Sequence, residues 1–521
     1  MSKINFKEKS RTTYSLFNII FGIINFLVKT IMVFIVRRVF IKTLGLEYLG
    51  LNSLFANIIT VLSIAEIGIG TAVSQTLYNC YVVNDKEKIG AILGYYKKVN
   101  NIIAVIVTAI GCLLIPFLKY FINQEIQINI SLELIYILTL ANVVVSYFFS
   151  YRKVIFQTCQ RIDVLYNITS VYYIALYIAQ IIILYFTRNY LIYLLSNIFI
   201  TLLENVTIQI FSKKHFADFV CFENQKIDLD TRKNIRGNVA SLFYQKIGNT
   251  IIFGTDNILI SLLIANGIIV LGKYSNYVLI TSALITVLHQ ILNSITASIG
   301  NSLVEKDVEY NFKLFNKLNF IYLVLVGFCT IGFITLADNF ISILFGENLE
   351  LNTIDVILLG ISFYLTESRY LVKTYKEAKG IIQQFKFCYI IQAIINLIAS
   401  ILLGKVIGLT GIILGTIIST IAMPLWSEFY LTNKYYFKKS TLKYFLKYSY
   451  YALVTLIAGG ATWYINSLIS CTSFYSLILK FIVFVPVAVL SYCLFLFNTK
   501  EFKETISWVK SIFKSKRKKE I

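Results

Sequence analysis

Residues 14–36 read YSLFNIIFGIINFLVKTIMVFIV. The run exceeds the roughly 20 apolar residues a helix needs to cross a hydrocarbon core. It lacks a small-residue cleavage site, so it reads as a first transmembrane helix rather than a signal peptide. Its interruptions are ordered. Asn18, Gly22, Asn25 and Lys29 fall at i, i+4, i+7 and i+11, one face of a helix. A lysine at the bilayer centre costs about 2.5–3.5 kcal/mol on insertion scales. The stripe therefore predicts the wall of a hydrated cavity. The alternative is a polar seam against a neighbouring helix, with Lys29 paired to a carboxylate such as Glu66.

Thirteen further apolar blocks follow, near 49–74, 99–121, 131–151, 164–186, 190–211, 239–265, 268–297, 318–337, 352–372, 384–404, 409–431, 444–466 and 474–497. The composition agrees: 57% of the chain is hydrophobic and 14% charged, where soluble domains carry about 25% charged residues. Three prolines in 521 residues suit long, unbroken helices. The expected fold class is an all-α polytopic membrane protein of about fourteen transmembrane helices.

The net charge of +21 sits between the apolar blocks, so it is read as topology and not as a nucleic-acid footprint. Odd-numbered gaps carry about 7 Lys and Arg (Arg37, Arg38, Lys42, Lys119, Arg188, Lys273, Lys405), against about 38 in the even gaps and the two ends. That asymmetry predicts an even number of crossings with both termini cytoplasmic. The basic run from Lys510 to Lys519 is expected to lie against anionic headgroups.

An offset of 222 residues aligns Leu49-Gly50 with Leu271-Gly272, Ser53 with Ser275, Ile58 with Ile280 and Asp85 with Asp307. Both copies start on the same side of the membrane, which predicts parallel repeats about an axis along the membrane normal. The expected organisation is an N-lobe over 1–211 (helices 1–6), a cytoplasmic linker over 212–238, and a C-lobe over 239–432 (helices 7–12). Two further helices over 433–497 and a basic tail over 498–521 complete it.

Soluble chemistry finds no foothold. The sequence has no GxxxxGK followed by Ser or Thr, no HExxH and no GxSxG, and its eight cysteines form no CxxC. No metal or cofactor is expected. Polar residues inside the spans carry the functional signal, because each needs a partner or water. Helix 7 brings Lys246, Asn249 and Asp256, helix 2 brings Glu66, and helix 8 brings Ser282, Thr286 and His289 at helical spacing. With Asn18, Asn25, Lys29, Arg37 and Arg38, these are the candidates for a substrate cavity. Glu66 and Asp256 are the candidates for coupling a proton or sodium ion. Arg152 and Lys153, and the Thr366-Glu-Ser-Arg369 run with Lys373, Lys376 and Lys379, read as interfacial helix ends.

The stretch Leu44-Gly-Leu-Glu-Tyr-Leu-Gly-Leu-Asn-Ser-Leu-Phe55, continuing through Leu62-Ser-Ile-Ala-Glu-Ile-Gly-Ile-Gly70 to Leu77-Tyr78, resembles the Wzx-type polysaccharide flippases. These belong to the multidrug/oligosaccharidyl-lipid/polysaccharide exporter (MOP) superfamily. The resemblance implies translocation of an undecaprenyl-pyrophosphate-linked oligosaccharide across a bacterial cytoplasmic membrane, by alternating access of two six-helix lobes around a cationic cavity. It implies membrane lipids, a polysaccharide polymerase and other envelope-assembly proteins as partners. Two other classes remain open on the sequence. A cation-coupled drug or small-molecule antiporter would share the fold. A membrane polysaccharide polymerase or ligase would need a large outer loop, and the outer gaps here are short.

Overall fold

The computed structural model describes residues 11–63, 69–126, 128–381, 383–471 and 473–517. Side chains are described for these except 11–16, 18, 19, 238, 240–251, 253, 297, 383, 386 and 509–517. The described residues form helices and connecting turns, with no strand among them. They fall into two compact units, residues 1–272 and 273–521.

The first unit begins with α1 (Arg11–Leu44), α2 (Leu46–Leu62), α3 (Ile69–Val82) and α4 (Lys86–Leu114), the last continued by a 3-10 turn over Ile115–Phe121. Next come α5 (Leu132–Ser150), the short α6 (Lys153–Thr158), α7 (Ile162–Thr187), α8 (Tyr190–His215), the short α9 (Ala217–Val220) and α10 (Leu229–Leu263). α1 packs along α7, α5 along α8, and α10 against α2 and α3. The packing of α10 carries the first compact unit beyond the linker expected at 212–238.

The second unit holds most of α11 (Gly267–Glu305), then α12 (Val308–Phe345), α13 (Thr353–Glu367), α14 (Tyr370–Ala378) and α15 (Lys386–Ala422). It ends with α16 (Pro424–Thr432), α17 (Thr441–Ser467), α18 (Phe474–Leu496) and α19 (Lys500–Arg517). α12 is central and packs against α13, α17, α18 and the start of α19.

Each expected span coincides with a helix, and the deviations have local causes. In the block at 49–74 the described residues belong to α2 and α3, and residues 64–68 lie outside the described residues. The block at 384–404 and the first part of that at 409–431 lie in α15, on either side of a reversal of the chain. Gly408 adopts φ +61°, a left-handed conformation that glycine reaches without penalty, and the chain reverses there. The two halves of α15 are then zipped by Asn396 Nδ2 donating to Thr416 Oγ1 at 2.9 Å and Ser400 Oγ to the Ile412 carbonyl at 3.3 Å. Among the described residues, nine helical segments are long and apolar enough to cross a membrane, the one over Phe387–Phe437 including this reversal. α2 and α13 are apolar but shorter, at 17 and 15 residues. The chain is an all-α polytopic membrane protein.

The repeat detected in the sequence has a local counterpart. Asp85 caps α4 by accepting from the Lys88 N–H at 3.0 Å, and Asp307 caps α12 by accepting from the Tyr310 N–H at 2.9 Å. The two aspartates satisfy the same orphan amide position of two long helices.

Candidate functional site

In the first unit α1 and α7 meet through the polar stripe of α1. Asn25 Nδ2 reaches the Tyr166 carbonyl (3.2 Å), Thr169 Oγ1 (2.9 Å) and Ser170 Oγ (2.8 Å) of α7. One turn on, the Lys29 ammonium sits 5.2 Å from the Tyr173 ring centroid, and the lysine is otherwise uncovered by protein. Arg37 is partly buried beside the Tyr193 phenol, and Arg38 is exposed. Asp256 is buried on α10. Glu66 and the side chains of Asn18, Lys246 and Asn249 lie outside the described residues.

In the second unit Ser282 and Thr286 are exposed on α11, and the Thr286 hydroxyl returns to the Ser282 carbonyl at 2.8 Å. His289, one turn further, is held on two sides. Its Nε2 is 2.9 Å from Glu367 Oε2 on α13, and its ring stacks on Tyr370 with centroids 3.7 Å apart. Glu367 is 3% exposed and also accepts from the Tyr322 hydroxyl of α12 at 3.4 Å. Three helices of this unit thus converge on one carboxylate. The sequence points to His289 but not to its partner, because Glu367 reads there as part of an interfacial helix end.

That interfacial reading is corrected by the structure for Arg152, Arg369 and Lys376. Arg369, in the turn after α13, donates to Glu428 Oε2 of α16 at 2.7 Å. Glu428 Oε1 accepts from the Tyr389 hydroxyl at 2.5 Å, and that hydroxyl accepts from Lys376 Nζ at 2.5 Å. Lys376 is fully buried, over the Phe385 ring at 4.4 Å. The first unit repeats the device. Arg152, in the turn after α5, donates to Glu223 Oε2 at 2.9 Å and to Ser212 Oγ at 3.2 Å, with 3% of its surface exposed. An interfacial anchor would point its cation to water; these are clamped to buried carboxylates.

Beside Glu367, α13 lines an apolar groove with α12 and α17. Thr330, Ile331, Thr335, Tyr364, Gly459 and Trp463 are among its walls, and it encloses about 410 Å³. Helix α13 therefore presents a polar cluster at its end and a wall of the groove one turn earlier, through Tyr364 and Leu365.

No protein-family model and no curated protein matches the sequence. Solved structures do. The lipid II flippase MurJ in an inward closed conformation superposes with a TM-score of 0.65 at 14% identity, covering 92% of this chain and 98% of that one. An inward-facing multidrug resistance MATE family transporter of the MOP superfamily gives 0.54 at 15% identity, over 78% and 95%. A MOP superfamily transporter from Pyrococcus furiosus gives 0.54 at 16% identity, over 83% and 100%. At these identities the likeness establishes a fold shared with these structures and nothing beyond the fold.

Proposed function

We propose that this protein is a flippase that moves an undecaprenyl-pyrophosphate-linked oligosaccharide from the cytoplasmic to the outer leaflet by alternating access, for surface polysaccharide synthesis. The observation that carries the reading is the apolar groove on α12, α13 and α17 beside the His289–Glu367 cluster. A lipid-linked sugar is an amphiphile. Its hydroxyls and phosphates each cost several kcal/mol if left unsatisfied in hydrocarbon, while its prenyl chain gains from apolar surroundings. A protein that handles both needs polar side chains and an apolar groove on the same helices, as here. The flippase among the structural neighbours supports the same class.

The protein acts as a transporter and not as an enzyme. In this reading Lys29, Arg37, Lys246, Asn249 and His289 are the proposed contacts for the sugar and its phosphates, with lysine meeting phosphate as a point charge. Glu66 and Asp256 are the proposed carriers of a coupling proton or sodium ion. The sequence carries no nucleotide-binding loop, so an ion gradient, or consumption of the product outside, drives the cycle. The MATE likeness favours a second reading, export of a small molecule by an antiporter. Reconstitution separates the two. Proteoliposomes should expose a fluorescent undecaprenyl-pyrophosphoryl disaccharide to an external quencher faster than protein-free vesicles. Transport of a cationic dye with no effect on the lipid would favour the antiporter.

A further inference from the structure

Lys480 lies within α18 and is only 7% exposed. Among the described residues its ammonium has one hydrogen-bond acceptor, Asn339 Oδ1 of α12 at 2.8 Å, and no carboxylate within ion-pair distance. An ammonium has three donors, and a cation inside a membrane helix is retained at a cost. A neutral amide offsets little of that cost.

A second unsatisfied group lies at the same level. Asn466, at the end of α17, is 2% exposed, and among the described residues neither its Oδ1 nor its Nδ2 has a hydrogen-bond partner. The helix register brings these residues to one height. Tyr492 of α18 donates to Thr455 of α17 at 3.0 Å. A side chain on Gly327 of α12 would meet the same two residues. From there Asn466, Lys480 and Asn339 are each about three helical turns away, roughly 17 Å along their axes, all toward the α17–α18 loop. The helix α12 runs parallel to α17 and antiparallel to α18, as the pairs Phe320–Tyr451 and Phe328–Phe484 confirm.

The apolar groove leads to this level. Thr335 and Trp463 are among its walls, and Asn339 and Asn466 come about one turn later on the same helices. The arrangement is a cation and two amides just beyond an apolar groove.

We propose that Lys480, Asn339 and Asn466 form a binding site for a lipid phosphate. The phosphate oxyanion meets the Lys480 ammonium, the Asn466 amide donates to it, and the hydrocarbon chain follows the groove between α12 and α17. The phosphate comes either from a resident anionic phospholipid or from a polyprenyl carrier. The site stands on its own geometry and does not require that the protein flips the lipid it holds.

Native mass spectrometry of the full-length protein in neutral detergent tests this, with phosphatidylglycerol and undecaprenyl phosphate titrated separately and inorganic phosphate as a competitor. Bound lipid should fall at least about tenfold in Lys480→Met, a difference of about 1.4 kcal/mol. It should persist in Lys480→Arg and fall severalfold in Asn466→Leu. Preference for one lipid identifies the source of the phosphate. Equal lipid binding by wild type and Lys480→Met overturns the proposal and leaves Lys480 as an anchor that reaches for the interface. Should Lys480→Met not fold, Asn466→Leu and the competition decide: undiminished binding in that variant, with no displacement by inorganic phosphate, overturns it equally. Binding is read without transport, so failure here is distinct from failure of the flippase reading.

Discussion

His289 Nε2 and Glu367 Oε2 lie 2.9 Å apart and tie α11 to α13. The contact is buried on the carboxylate side, and Tyr322 and Tyr370 enclose it from α12 and α14. Removing one partner leaves the other with an unmet polar group, at a cost of about 1–3 kcal/mol. His289→Ala and Glu367→Ala should therefore each lower thermal stability in detergent. The double variant should fall short of their sum, since residues in contact couple. Strict additivity would mean that the pair is incidental.

The two arginine clamps should behave alike. Arg369→Ala leaves Glu428 buried with Lys376 as its remaining cation, and Arg152→Ala leaves Glu223 without its 2.9 Å partner. Breaking a buried pair from one side costs about 3–5 kcal/mol. Replacing Arg369, Lys376 and Glu428 together by Met, Met and Leu should recover much of that loss. Unchanged melting of Arg369→Ala would show that the clamp carries no stability.

The fold was legible because lipid forces long apolar runs, and α5, α7, α8, α17 and α18 start and stop within a few residues of their hydropathy blocks. Hydropathy misses what happens within a block, such as the break at Met423 between α15 and α16 in the block at 409–431. The site was legible only by halves. His289 and Lys480 stand out as polar residues in apolar runs. Glu367 ends α13, Glu223 lies in the turn after α9 and Glu428 sits near the end of its apolar block, and there a carboxylate reads the same whether it faces water or a buried arginine. Asn25 shows the reverse. Its spacing fits a cavity wall, yet its amide is taken up by three oxygens of α7.

The paired caps give a mild, symmetric prediction. Asp85→Ala and Asp307→Ala should each cost about 1 kcal/mol, and the Asn replacements much less. Circular dichroism melting of the purified variants reads this directly, and a large effect at one site alone would argue against equivalent roles.

Asp228, the cap of α10, adds a pH signature. The Thr231 N–H and hydroxyl hold its carboxyl below the ordinary aspartate range. A carboxylate with a depressed folded value contributes stability above its unfolded value, about 3.9, and loses it as pH falls through the folded one. The group is solvent-exposed, so the effect is small. Asp228→Asn should flatten the acid side of the stability profile and leave neutral pH nearly unchanged; an identical acid limb in the variant would exclude this cap as a contributor.

Gly50 has no room for a side chain. A Cβ there would collide with the Ile268 carbonyl, whereas one on Gly237 would meet nothing within 4 Å. Gly50→Val should abolish recovery of folded protein from membranes. Gly237→Ala, within α10, should gain about 0.5–1 kcal/mol. Normal yield of Gly50→Val would contradict the close approach of α2 to residue 268.

The most direct test of the central claim is the distribution of lipid-linked oligosaccharide in cells lacking this protein. The flippase account predicts accumulation on the cytoplasmic leaflet, cured by the wild-type chain and poorly by Lys29→Ala or Glu367→Ala. Absence of any accumulation, with surface polysaccharide intact, would contradict it.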